Sequence, residues 1–194
     1  MYPAFLNKNY YLKKQAIALT GKIRIYDPQG TQLAYCEQKM FKWREDIRIY
    51  ADEGKTYELL YIQARNVLDF SGTYDVYDSL TRTWIGALQR KGWKSLTRDE
   101  WDVIGQNQYK VATIIEDSLG RALLRRLILG SLMPQNYDAL GSNGERLADL
   151  KQRFNLVRYE MDIDFNYDQY QVLDPRLGLA VAVLLAIIEG KQES

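Results

Sequence analysis

Two clusters of side chains carry types and spacing suited to ligand chemistry. Arg90, Lys91, Trp93 and Lys94, with Arg98 nearby, place four cations around one indole. Cations attract phosphate and an indole settles at a membrane interface, so the group suits a phosphorylated headgroup or an anionic lipid surface. The plainer reading, and the favoured one, is a solvated hairpin end with Trp93 packed inward and Asp99 and Glu100 diluting the charge. The second cluster is Asp162, Asp164, Asn166 and Asp168, whose spacing matches the first half of an EF-hand calcium loop. Tyr167 stands where such a loop needs Gly, and Leu173 where it needs a bidentate Glu. Because Met161, Ile163, Phe165 and Tyr167 intervene, plain strand alternation also explains the pattern. A third set, Arg121, Arg125 and Arg126, forms a cationic helix face that could bind a partner or lipid, though solubility or pairing with Glu116 and Asp117 explains it more simply.

Much other chemistry is excluded by composition. The 194 residues include no His, which removes Ser-His-Asp triads, Cys-His pairs and His-ligated metals. Cys36 is the single cysteine, so neither an intrachain disulfide nor a thiolate zinc site can form. In a strand-like stretch it reads as a small packed residue. No Gly-rich phosphate loop or acid/base carboxylate pair stands out. The expectation is a non-enzymatic protein without cofactor. A net charge of +1 gives no global pull toward nucleic acid. The N-terminus lacks a signal-peptide h-region, which suggests a cytoplasmic protein, peripheral to the membrane if attached to it at all.

Short strands are the elements that must position these groups. Ile17, Leu19, Ile23 and Ile25 alternate with polar residues until Asp27-Pro28-Gln29-Gly30, a turn in which Pro presets the bend and Gly permits positive φ. The same grammar places strands over 31–38, 47–50, 57–64, 72–77, 83–90, 101–104, 109–116, 137–140, 146–151 and 158–165. Ser118 as N-cap opens a predicted surface helix over 118–129, ending near Gly130. The whole chain, 1–194, reads as one domain.

The C-terminus is the most informative stretch. Asp174 is a good N-cap and Pro175 suits the first helical position. From Leu177 to Ile188 twelve consecutive residues are apolar, counting Gly178, and eight of them are Leu, Val or Ile: Leu177, Leu179, Val181, Val183, Leu184, Leu185, Ile187 and Ile188. Twelve residues rise only about 18 Å, short of the about 20 residues that a bilayer span needs. A helix apolar on every side must be buried on every side. A sheet that covers it all round closes into a barrel and loses its edges. The expected fold is mainly β: an antiparallel barrel around a central hydrophobic helix, not a transmembrane chain.

Three stretches carry a family resemblance: Ala18 to Asp27 with Gly30 and Gln38-Lys39-Met40-Phe41-Lys42; Arg90 to Leu96; and Asp174 to Ala180 with its apolar continuation to Ile188-Glu189. Their order resembles the tubby C-terminal-like superfamily, in the branch shared by LURP-one-related proteins, phospholipid scramblases and small bacterial homologues. The resemblance implies a closed barrel of about 12 strands threaded by the C-terminal helix, with the 118–129 helix as an elaboration. Tubby domains bind phosphoinositides through basic surface residues, and scramblases carry an acidic calcium-binding segment just before the terminal helix. The scramblases' Cys-rich palmitoylation segment is missing here. The implied function is a binding module for an anionic phospholipid or membrane surface, with a protein-interaction domain as the alternative.

Overall fold

The computed structural model describes residues 1–15, 20–39, 46–65, 72–91, 100–116, 134–155 and 158–188. Among them twelve strands follow one another around a closed antiparallel barrel. They are β1 (Asn9–Gln15), β2 (Thr20–Tyr26), β3 (Gln32–Lys39), β4 (Ile47–Tyr50), β5 (Glu58–Ala64), β6 (Thr73–Asp78), β7 (Thr83–Arg90), β8 (Glu100–Gly105), β9 (Lys110–Glu116), β10 (Asn136–Leu140), β11 (Arg146–Arg153) and β12 (Arg158–Asp164). Every strand pairs with its neighbours in sequence, and β12 closes on β1 with Tyr11 opposite Asp162 and Lys13 opposite Glu160. A one-turn 3-10 helix over Pro3–Phe5 precedes the barrel and buries Ala4 and Phe5.

The helix α1 (Pro175–Ile188) fills the interior, and every residue from Leu177 to Ile187 is buried. Its start is fixed by Asp174, whose Oδ1 accepts the Arg176 amide at 2.9 Å while its carbonyl accepts the Gly178 amide at 3.0 Å. Two glycines let it lie against its surroundings. A Cβ on Gly178 would fall 2.6 Å from the Phe165 ring, and one on Gly86 of β7 would overlap the Ile104 carbonyl and lie 2.8 Å from Leu177 Cδ1.

The strand alternation follows from this core. In β12, Tyr159, Met161 and Ile163 point inward, while Glu160, Asp162 and Asp164 face out. The turn expected at 27–30 forms with Gly30 at φ 85° and Asp27 Oδ1 accepting the amides of Gln29 and Thr31. Two expectations shift. β11 runs on to Arg153, beyond Lys151, because the Gln152 amide pairs with the Gln135 carbonyl at 3.0 Å and its buried side chain accepts the Gln135 amide. β1 is a strand that apolar alternation does not announce, since its inward residues are Tyr10, Leu12 and Lys14. The predicted 118–129 helix, with Arg121, Arg125 and Arg126, lies outside the described residues, as do Ile17 and Leu19.

A meander has two kinds of rim. The tight turns at 27–31, 51–57, 79–82, 106–109 and 141–145 all fall at one end, which is also the end where α1 begins. There Arg176 Nη1 reaches Asp78 Oδ2, at the end of β6, at 2.7 Å. The other end is where α1 finishes and where β7 hands over to β8.

Candidate functional site

With its centre occupied by α1, the barrel offers ligands its rims and its outer wall. The wall is laced with ion pairs: Arg48 to Glu58, Arg65 to Asp75 at 2.7 Å, Arg146 to Asp138 at 2.7 Å and Arg153 to Asp162 at 2.7 Å. A wall of this kind faces water. A barrel crossing a bilayer with its strands presents an apolar band instead. Among the described residues no helix is long and apolar enough to cross a membrane.

Large apolar side chains are exposed in a different place. Leu6, Tyr57, Leu80, Tyr109, Tyr167, Tyr170 and Val172 all lie on the turns and terminal segments at the rim where α1 begins, with Tyr170 90% exposed and Tyr109 73%. Phe154, after β11, is the exposed large apolar residue at the opposite rim among the described residues.

From the same rim an open groove of about 780 Å³ descends the outer wall over β2, β1, β12 and β11. Its middle is the tilted pair Tyr11 and Tyr26, opposite one another on β1 and β2 with ring centroids 6.2 Å apart. The Arg153 guanidinium lies 4.4 Å above the Tyr11 ring while Nε and Nη2 each donate at 2.7 Å to Asp162. Burial, reinforced by Glu160, pushes the Tyr11 phenol up to about 12. Lys13 lies 3.8 Å from Glu160, and Lys151 2.6 Å from Asp149. Nearer the rim, Asp164 and Asn9 are register partners, and Asn166 Nδ2 bridges their side-chain oxygens at 2.8 Å. Along the groove each cation thus has a carboxylate beside it, with the two phenol rings among them and Asp27 and Asp164 toward the rim.

The four residues of the calcium-like spacing each have a separate task. Asp162 pairs with Arg153, and Asp164 caps the Asn166 amide at 2.8 Å. Asp168 is buried and turns its carboxylate back to accept the Val172 and Leu173 amides at 2.9 and 2.8 Å. Strand alternation accounts for Asp162 and Asp164 only, since β12 ends at Asp164 and the chain then turns. Among the described residues no three carboxylate or thiol groups gather round a point where an ion could sit.

The cation cluster is divided. Arg90 and Lys91 lie at the rim where α1 finishes. Arg90 stacks 5.7 Å from the Trp101 ring, and Lys91 pairs with Glu100 and with Asp102 at 3.4 Å. These carboxylates raise the Lys91 ammonium above its ordinary value, the Glu100 hydrogen bond contributing most. Trp93, Lys94 and Arg98 lie outside the described residues. Cys36 is packed in the core, where burial pushes its thiol up to about 12, so it is no nucleophile at neutral pH.

Sequence reasoning missed both the groove and the tyrosine rim. The adjacent tyrosines Tyr10 and Tyr11, between Asn9 and Lys13, were the available sign of the first. The apolar residues set in turn sequences, such as Leu80 in Asp78-Ser79-Leu80-Thr81, were the available sign of the second.

Comparison with curated proteins finds no match. The family model described as LURP-one-related matches residues 8–187, nearly the whole of the barrel and its helix, and the chain therefore belongs to the LURP-one-related family of the tubby-like superfamily.

Proposed function

We propose that the protein is a non-catalytic binding module for a phospholipid surface, and that it approaches the membrane with the rim where α1 begins. One observation carries this reading: the collection of exposed Leu and Tyr side chains on that rim, above a wall of ion pairs. Tyrosines settle at the level of lipid headgroups, and leucines on turn tips gain by entering the acyl boundary. Family membership supports a binding role, and the filled barrel supports a ligand held outside it. Attachment would be peripheral.

The test is vesicle co-sedimentation of the full chain at low salt, with neutral phosphatidylcholine vesicles and with vesicles containing anionic lipid, each with and without calcium. Leu80→Asp and Tyr170→Ser, both on exposed side chains, should reduce binding while thermal melting stays within a few degrees. Lys94→Glu examines the sequence-derived patch of Arg90, Lys91, Trp93, Lys94 and Arg98 in the same assay. A loss seen with Lys94→Glu alone would move the contact to that patch. No vesicle binding under any condition, with a stoichiometric protein partner recovered instead, would favour a protein-interaction domain.

A further inference from the structure

We infer that the groove over β1, β2, β11 and β12 binds a zwitterionic phosphate ester, with a phosphate and an alkylammonium on one short chain. The inference rests on the reading above, that the ligand is a lipid headgroup, and specifies which kind.

The argument is one of charge arrangement. Lys13, Lys151 and Arg153 line the groove together with four carboxylates, Asp27, Asp149, Asp162 and Asp164. A simple anion entering this space meets more carboxylates than cations, and a simple cation must compete with Arg153 and Lys151 for Asp162 and Asp149 and with amide donors for Asp27 and Asp164. A ligand with both signs finds a complement for each end. Each cation stands beside an acid, Lys13 by Glu160, Arg153 by Asp162 and Lys151 by Asp149, while Asp27 and Asp164 lie toward the rim. Lys13 and Arg153 both face Glu160 across the register, four residues along β12 from Asp164, a backbone separation of about 13 Å. Lys151 and Tyr11 both stand opposite Asp162, halfway along.

Each part of the ligand has a receptor group. Arg153 spends Nε and Nη2 on Asp162; its remaining Nη1 hydrogens can serve a phosphate oxygen. Lys151 is 59% exposed, so its ammonium remains open to a second anion. Phenol rings attract alkylammonium groups through their faces, and Tyr26 stands between Tyr11 and the Asp27 turn. The groove opens at the tyrosine rim, where a headgroup would arrive from a membrane.

The same headgroup chemistry exists free in solution, so the test separates the two sources. Glycerophosphocholine, inorganic phosphate and choline are titrated into the full-length protein by calorimetry, beside sedimentation with phosphatidylcholine vesicles. Saturable binding of glycerophosphocholine is expected, with phosphate alone and choline alone each weaker by about tenfold or more. Lys151→Glu should weaken glycerophosphocholine binding about tenfold while the melting temperature holds. Vesicle binding without glycerophosphocholine binding overturns the groove assignment and leaves the membrane reading standing. Glycerophosphocholine binding without vesicle binding upholds the groove and assigns it a free metabolite. Phosphate alone binding as well as the ester overturns the zwitterion, and failure of both ligand and vesicle overturns both readings.

Discussion

The ammonium of Lys14 donates a 2.7 Å hydrogen bond to the carbonyl oxygen of Ala186, tying the first strand of the barrel to the last turn of the helix inside it. Carbonyls in a helix's last turn lack intrahelical partners and carry the negative end of its dipole. Lys14 is 8% exposed, and its charge is placed where that dipole favours it. The opposite end is matched by Asp174 as N-cap. Lys14→Met keeps most of the side chain's volume and removes the donor. It should lower unfolding stability by about 1–3 kcal/mol, seen as a lower urea midpoint at unchanged slope. A variant as stable as the parent would mean that apolar packing alone holds the end of α1.

This contact also explains what the sequence could and could not reveal. The helix was legible because twelve successive apolar residues from Leu177 to Ile188 have one soluble solution, complete enclosure, and that demand implied the barrel. β1 was illegible for the converse reason. One of its inward positions is a lysine serving the helix end, so Asn9–Gln15 looks like a polar lead-in. With β1 hidden, the groove built on Tyr11 and Lys13 was hidden as well. The calcium-like spacing misled differently. It is genuine alternation as far as Asp164, after which Asp168 turns inward to hold the backbone of Val172 and Leu173.

The start of the helix should be sensitive to acid. Burial disfavours the charged form of Asp78, but the Thr81 amide and Arg176 outweigh it and hold its carboxyl below the usual range. A carboxyl depressed in the folded state contributes its stability fully above the unfolded value, about pH 4. It loses that contribution as pH falls through the lower folded value. Asp78→Asn should therefore be less stable than the parent at pH 7 and lose less on going from about pH 4 to about pH 2. Parallel stability curves for the two proteins below pH 4 would show that the Asp78–Arg176 pair does not set the acid limb.

Gly86 should resist the smallest enlargement. A Cβ there would overlap the Ile104 carbonyl oxygen, which belongs to the backbone of the paired strand and cannot swing away, and would press on Leu177. Gly86→Ala should cost about 1–3 kcal/mol, measured by chemical denaturation. Gly30→Ala makes a useful contrast, since no atom lies within 4 Å of its Cβ position and strain at φ 85° is its whole penalty. Equal stability of Gly86→Ala and the parent would mean that β7 and β8 can separate slightly without loosening the helix.

The lone thiol gives a way to measure how the barrel opens. Cys36 lies on β3, 1% exposed, opposite Ile23 on β2 and Ile49 on β4. Burial raises its pKa to about 12, so a disulfide reagent at pH 8 finds neither access nor thiolate in the folded state. Labelling should wait for an opening event, and its rate should rise with added urea in step with global unfolding, because β2, β3 and β4 are held in a sheet without edges. Lys14→Met should accelerate labelling by the factor that its loss of stability dictates, although Lys14 is on β1 and Cys36 on β3. If Cys36 reacts quickly in the native protein, or if its labelling ignores Lys14→Met, the β3 side of the barrel opens independently of the end that Lys14 secures.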